Sequence, residues 1–297
     1  MLMNDKTKFR VIDILLLAGV ILPVAAAMAI KILFTPLEEG IAVHGARIFF
    51  TVPMPVQDLP ITESQVNSWL LIVSIFFLCL YMTHGTKEKA DTRRQHICEW
   101  IVEKTDGLVA DNMGEYFKGF SPFVGAVLAL SAFSSLMSLL GVYAPTSDIN
   151  IIAGWAVLVF LLITYYKMKC GPLHYLKSFT EPVAVMLPMN IISEIATPVS
   201  MSFRHYGNVM SGSIISILIA SALQGLSKLV LGWLPGFLGE IPFLQVGLPA
   251  VLSVYFDVFS GMLQAFIFAM LTMMYVAGAF PAEDYAARKA RKHRKNA

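Results

Sequence analysis

An all-α polytopic membrane protein is the fold class this sequence predicts, and three observations predict it. Of 297 residues, 57% are hydrophobic and 14% charged, with a mean hydropathy of +0.68. Several apolar runs reach the ~20 residues a helix needs to cross a ~30 Å hydrocarbon core. Runs such as Phe123 to Leu140 and Ile151 to Thr164 lack the alternation of polar and apolar residues that a spanning barrel strand requires.

Taken in order, the first helix runs from about Val11 to Phe34, after Lys6, Lys8 and Arg10. A cleaved signal peptide is the competing reading, with Ala25 to Ala27 as a small-residue site. The apolar run continues past that site, which favours a retained anchor (residues 1–35). An external loop (36–66) follows, carrying Glu38, Glu39, Asp58 and Glu63 against Arg47. The second helix, about Asn67 to Thr83, leads to a basic segment from Lys87 to Lys118. That segment reads equally as an inner amphipathic helix or a solvated linker. Helices three and four cover about Pro122 to Gly141 and Ile151 to Tyr166. The loop between them has no Lys or Arg, whereas Lys167, Lys169 and Lys177 follow, so positive charge alternates as the inside rule requires.

From Val183 to Trp233 the chain is apolar for about fifty residues, a rod of about 75 Å at helical rise, more than twice the hydrocarbon thickness. Either Gly207 and Asn208 form a turn between two short spans, or one tilted helix runs through them and turns at Trp233-Leu-Pro-Gly. The final ten residues hold three Lys and three Arg. Only six crossings return that tail to the cytoplasm, with both termini inside, so parity favours a long tilted pair, about Val183 to Trp233 and Val246 to Phe280. Residues 67–297 then form a single membrane domain.

Arg204 stands in the stretch Ile195 to Gln224 with no other Asp, Glu, Lys or Arg. An arginine at mid-membrane costs about 2.5 to 3.5 kcal/mol on insertion scales, so it implies a counter-charge, a water path or a task. At 100° per residue, Asn190, Glu194, Thr197, Arg204, Asn208 and Ser211 share an arc of about 100°. Ser253, Asp257, Ser260 and Gln264 fall on a narrower arc of the last helix. Interhelical hydrogen bonds account for Ser, Thr and Asn at such positions. They do not account for Glu194, Arg204 and Asp257. The expected arrangement is an acidic group on each side of a central cation.

These residues carry a resemblance. Ser200-Met-Ser-Phe-Arg204-His-Tyr-Gly207-Asn208 and Gln264-Ala-Phe-Ile-Phe-Ala-Met-Leu-Thr272 resemble the motifs of subunit a of the bacterial F-type ATP synthase, supported by Ser121 to Gly125, Ala144 to Asp148 and Pro182 to Glu194. The resemblance spans about Phe50 to Tyr275. It implies a stator subunit of the plasma membrane that faces a ring of c subunits and is held by peripheral-stalk b subunits. Arg204 would be the gate between two offset half-channels and Gln264 would lie against it. Glu194 and Asn190 would belong to the inner path, and Ser213 and Asp257 to the outer one. Asn208 would hold the gate. Protons are the expected ion and sodium the alternative. Neither cofactor, metal nor nucleic acid is expected, and ATP chemistry would reside on other subunits, since no phosphate loop is present. His205 and Tyr206 replace the family's usual Leu-Phe, and Ser213 stands where many members carry Glu or His. His205 is expected to be packed. The three cysteines match neither a metal site nor a disulfide framework. A secondary transporter would show a repeated copy of the Arg204 segment, a voltage sensor several regularly spaced arginines. A purely structural subunit would respond to neutralisation of Arg204 in assembly alone.

Overall fold

The computed structural model describes residues 5–34, 45–55, 57–88, 92–180, 183–231, 243–282 and 285. Glu38, Glu39, Lys89, the Trp233-Leu-Pro-Gly turn and the basic tail lie outside the described residues. Nine α-helices are present among the described residues, and six helices are long and apolar enough to cross a membrane.

Helix α1 (Asp5–Phe34) is succeeded by a small antiparallel hairpin of β1 (Ile48–Val52) and β2 (Leu59–Thr62), with Phe50 opposite Ile61 and Val52 opposite Leu59. This hairpin lies where a plain loop was expected. It feeds α2 (Glu63–Thr83), which begins four residues before the expected Asn67. The early start has a local cause: the Gln65 side chain accepts from the Thr62 N–H at 3.3 Å and so satisfies a donor at the helix start.

Helix α1 packs along α2. Ser74 Oγ donates to the Val20 carbonyl at 2.8 Å, and a Cβ on Gly19 would lie 2.5 Å from the Phe77 ring. At the other end Asp13 accepts from Arg94 at 3.0 Å and lies 3.1 Å from His84 Nδ1. The basic segment is a helix after all, α3 (Arg93–Met113), capped by Thr92 Oγ1, which accepts from the Gln95 N–H. Its Val109 and Met113 enter the main core.

That core lies between α3, α4 (Ser121–Leu139), α5 (Ile149–Lys167) and α9 (Gly261–Ala279), and its centre includes Val124, Val159, Phe268 and Met273. Small residues bring α4 and α9 close, since a Cβ on Gly261 would strike the Ser135 side chain. Buried hydroxyls are satisfied nearby: Ser134 and Thr146 share a 2.9 Å bond, and Thr272 donates to the Phe268 carbonyl at 2.8 Å.

Short α6 (Pro172–Ser178) precedes α7 (Leu187–Leu231), a single helix of 45 residues. It runs through Gly207 and Asn208 without a turn, so the long-helix expectation holds and the two-span alternative falls. At 1.5 Å per residue it is roughly 68 Å long, too long to stand upright in a bilayer. The return segment is α8 (Phe243–Ser253), a π-helical stretch over Val254–Ser260, and α9. The π turn falls within the expected polar stripe, so its residues advance by less than the 100° on which that stripe was drawn.

Candidate ion path

Two cavities of about 490 Å³ each open along α7. The first, at the end of the bundle where α5 finishes and α6 begins, is lined by Asn190, Glu194 and Thr197 with Lys167 and Tyr175. Glu194 is held there. Its carboxylate accepts from Lys167 Nζ at 3.0 Å and from Tyr175 Oη at 3.1 Å, and its side chain is 8% exposed. Burial, and then the Glu194 charge, push the Tyr175 phenol above its ordinary 10.0, so it stays protonated and donates at neutral pH. Asn190 Nδ2 donates to the Phe179 carbonyl at 2.8 Å. Pro198, inside α7, has no N–H to give to the Glu194 carbonyl, which loosens the helix beside this cavity.

The second cavity lies at the opposite end, where α4 meets α5. Ser213, Ser216 and Asp257 line it, together with Lys31, Arg47, Glu63 and Tyr143. Asp257 is half-buried in the π turn. Ser213 Oγ donates back to the Val209 carbonyl at 3.2 Å. Gly212 lets this part of α7 approach the π turn, since a Cβ there would lie 3.2 Å from Phe256 Cβ. The two cavities share no lining residue.

Arg204 lies between them and lines neither. It is seven residues beyond Thr197 and six before Met210, roughly 10 Å along the axis from each. Its side chain is exposed and has no hydrogen bond or ion pair among the described residues. The next residue points the other way. His205 is 1% exposed, with Nε2 at 3.4 Å from Ser131 Oγ and its ring edge-on to Trp155 and Phe268.

Asn208 joins the two long helices. Its Nδ2 donates to Ser260 Oγ at 3.1 Å, and Ser260 Oγ donates to Asn208 Oδ1 at 3.3 Å. Gln264 is 3% exposed and packed inside the bundle. No hydrogen bond joins it to Arg204 among the described residues. Of the residues expected along the path, Asn190 and Glu194 of α7 line the first cavity, Ser213 of α7 and Asp257 of the π turn line the second, and Asn208 and Gln264 line neither. The sequence did not single out Lys167 and Tyr175 as partners of Glu194, or Glu63 and Lys31 as neighbours of Asp257.

Comparison with known proteins agrees with this architecture. The model of the family described as ATP synthase A chain matches residues 65–277. The ATP synthase subunit a of Legionella pneumophila is 27% identical over 83% of this chain and 96% of its own length. That of Priestia megaterium is 32% identical over 75% of this chain and 94% of its own. A protein of Propionigenium modestum named as the sodium ion specific subunit a is 27% identical over 82% of this chain and 88% of its own. With six helices able to span a membrane and a family match that covers most of its length, this chain belongs to the a subunits of F-type ATP synthase, components of the ion-translocating Fo sector.

Proposed function

We propose that this chain is the stator half of the ion gate and that Arg204 is its separating charge. One observation carries the reading: an exposed arginine with no partner among the described residues stands on α7 between two cavities that share no lining residue. A guanidinium left without a partner at mid-helix is costly in lipid, so its partner comes from outside the chain. A carboxylate on a passing c subunit is that partner. A cation within about 4–6 Å lowers a carboxylate pKa by roughly 1–3, so the ring site releases its ion on reaching Arg204 and cannot carry it straight across.

The cavity at Asn190, Glu194 and Thr197 is the inner half-channel. The one at Ser213 and Asp257 is the outer half-channel, with both termini cytoplasmic and the membrane that of a bacterial cell. The lack of Lys and Arg in the loop between α4 and α5, and the basic residues after α5, support this orientation. Asn208 fixes α7 against the π turn beside the gate, and Gln264 supports the gate from within the bundle. Each unit charge moved through the full potential supplies about 2.3 kcal/mol per 100 mV, which the ring's rotation delivers to nucleotide sites on other subunits. The peripheral-stalk b subunits hold the chain still. Protons are the transported ion. Sodium is the second reading, favoured by the sodium-specific relative and by Ser213, a hydroxyl where an ionisable group is usual.

The test uses membrane vesicles carrying the assembled complex, with and without sodium. Arg204→Ala is expected to reduce ion-driven ATP synthesis at least about tenfold, the effect of one lost unit of pKa control, with the complex still assembled. Normal synthesis in that variant would return Arg204 to a packing role. A sodium requirement in the wild type would name sodium as the ion.

A further inference from the structure

The sequence places one titratable group, Asp257, on the cavity at the α4–α5 end, and the structure brings a second. Glu63, the first residue of α2, lines the same cavity and is 8% exposed. Its carboxylate has no hydrogen bond or ion pair among the described residues, and neither has that of Asp257. Buried carboxylates are ordinarily paired or hydrogen-bonded, because an unpartnered one forfeits its hydration. Glu194, on the opposite cavity, obeys that rule through Lys167 and Tyr175. Glu63 has no such hydrogen bond among the described residues, only the nearby charges of Lys31 and Arg47, and it faces a space large enough for several waters.

The groups that face it come from four elements. They are Lys31 of α1, Arg47 before β1, Tyr143 between α4 and α5, and Asp257 of the π turn. Lys31 Nζ is tied to the Gly141 carbonyl, and Arg47 donates to the Phe34 carbonyl at 3.1 Å. Asp148 is engaged elsewhere, accepting from Ser64 Oγ and from the Asn150 N–H. Lys31 and Arg47 thus set two anchored positive charges on the wall that Glu63 shares. Glu63 opens α2 beside residues 141–144 and 147 of the same cavity wall, and Asp257 lies in the π turn.

We infer that Glu63 is a second ion-relay carboxylate of this half-channel, taking the ion from water at the mouth and releasing it toward Asp257. A proton arriving on hydronium binds one carboxylate oxygen of Glu63, leaves as Asp257 takes it up, and restores Glu63 to its charged form. Ser213 has no ionisable group for that step. Lys31 gives the N-terminal helix a part in the path by holding a positive charge beside it. The inference rests on the reading of this cavity as a half-channel.

Vesicles with the assembled complex separate the possibilities. Ion-driven ATP synthesis is measured against pH on the side to which the cavity opens, for wild type, Glu63→Gln, Glu63→Asp and Arg204→Ala. Glu63→Gln is expected to lower the rate about tenfold, less than the usual 10²-fold of a lone proton-transfer group because Asp257 remains, and to displace the pH profile. Glu63→Asp should restore the wild-type profile. If Glu63→Gln matches wild type in rate and profile while Arg204→Ala is inactive, the relay alone is overturned. Equal losses in Gln and Asp variants, or a loss with an unchanged profile, mark a structural role and also overturn it. Normal synthesis by Arg204→Ala overturns the half-channel reading beneath it.

Discussion

Asn208 and Ser260 hold each other by two reciprocal bonds across the long helical pair. Interhelical bonds of this kind average about 0.6 kcal/mol and reach about 1.7 in membrane proteins. Asn208→Ala and Ser260→Ala, combined in a double-mutant cycle of thermal stability in detergent, should return a coupling within that range. A coupling of zero would mean that the pair does not join α7 to the π turn. The line of Asn190, Glu194 and Thr197 on one cavity was legible because α7 is uninterrupted there and 100° per residue holds. Glu63 was not legible as a cavity residue. Its neighbours Lys31, Tyr143 and Asp257 are remote in sequence, and beside Glu38, Glu39 and Asp58 it reads as one more solvated loop acid. His205 was read correctly as packed, since it falls outside the polar arc and its ring lies against Trp155 and Phe268.

Among the elements, α1 and α2 meet most closely at Gly19, where a Cβ would overlap the Phe77 ring. Gly19→Leu must push the two helices apart, and overpacking of that kind costs about 1–3 kcal/mol. The expected result is a lower melting temperature of the purified complex, with Phe77→Ala restoring part of it. An unchanged melting temperature would detach α1 from α2. The spans themselves were legible from length and apolar composition, because a lipid-facing helix has to satisfy its backbone internally and cover it with apolar side chains. The hairpin of β1 and β2 was not. Pro60 lies within β2, and Pro53 and Pro55 follow β1, and prolines weaken a strand pattern because they cannot donate to the ladder. The π turn was invisible for another reason. A reading at 3.6 residues per turn assumes the very regularity that Val254–Ser260 breaks.

At the scale of the whole molecule, the two cavities reach toward Arg204 from opposite ends and have no lining residue in common. On the half-channel reading proposed above, passage between them needs a carrier from outside the chain. Reconstituted alone into liposomes holding a potassium diffusion potential, the chain is expected to leave the potential undischarged, as read by a voltage-sensitive dye. Discharge at the rate of a channel would mean that the two cavities join. The six helices able to cross a membrane were legible from apolar length and charge parity, but the separation of the cavities was not, because it depends on how α7 lies against the π turn and on which side Arg204 faces. The same separation bears on how a cell builds the complex. On the half-channel reading proposed above, such a subunit insulates until a rotor is placed against it, so it can wait in the membrane for its partners without draining the gradient it will later use.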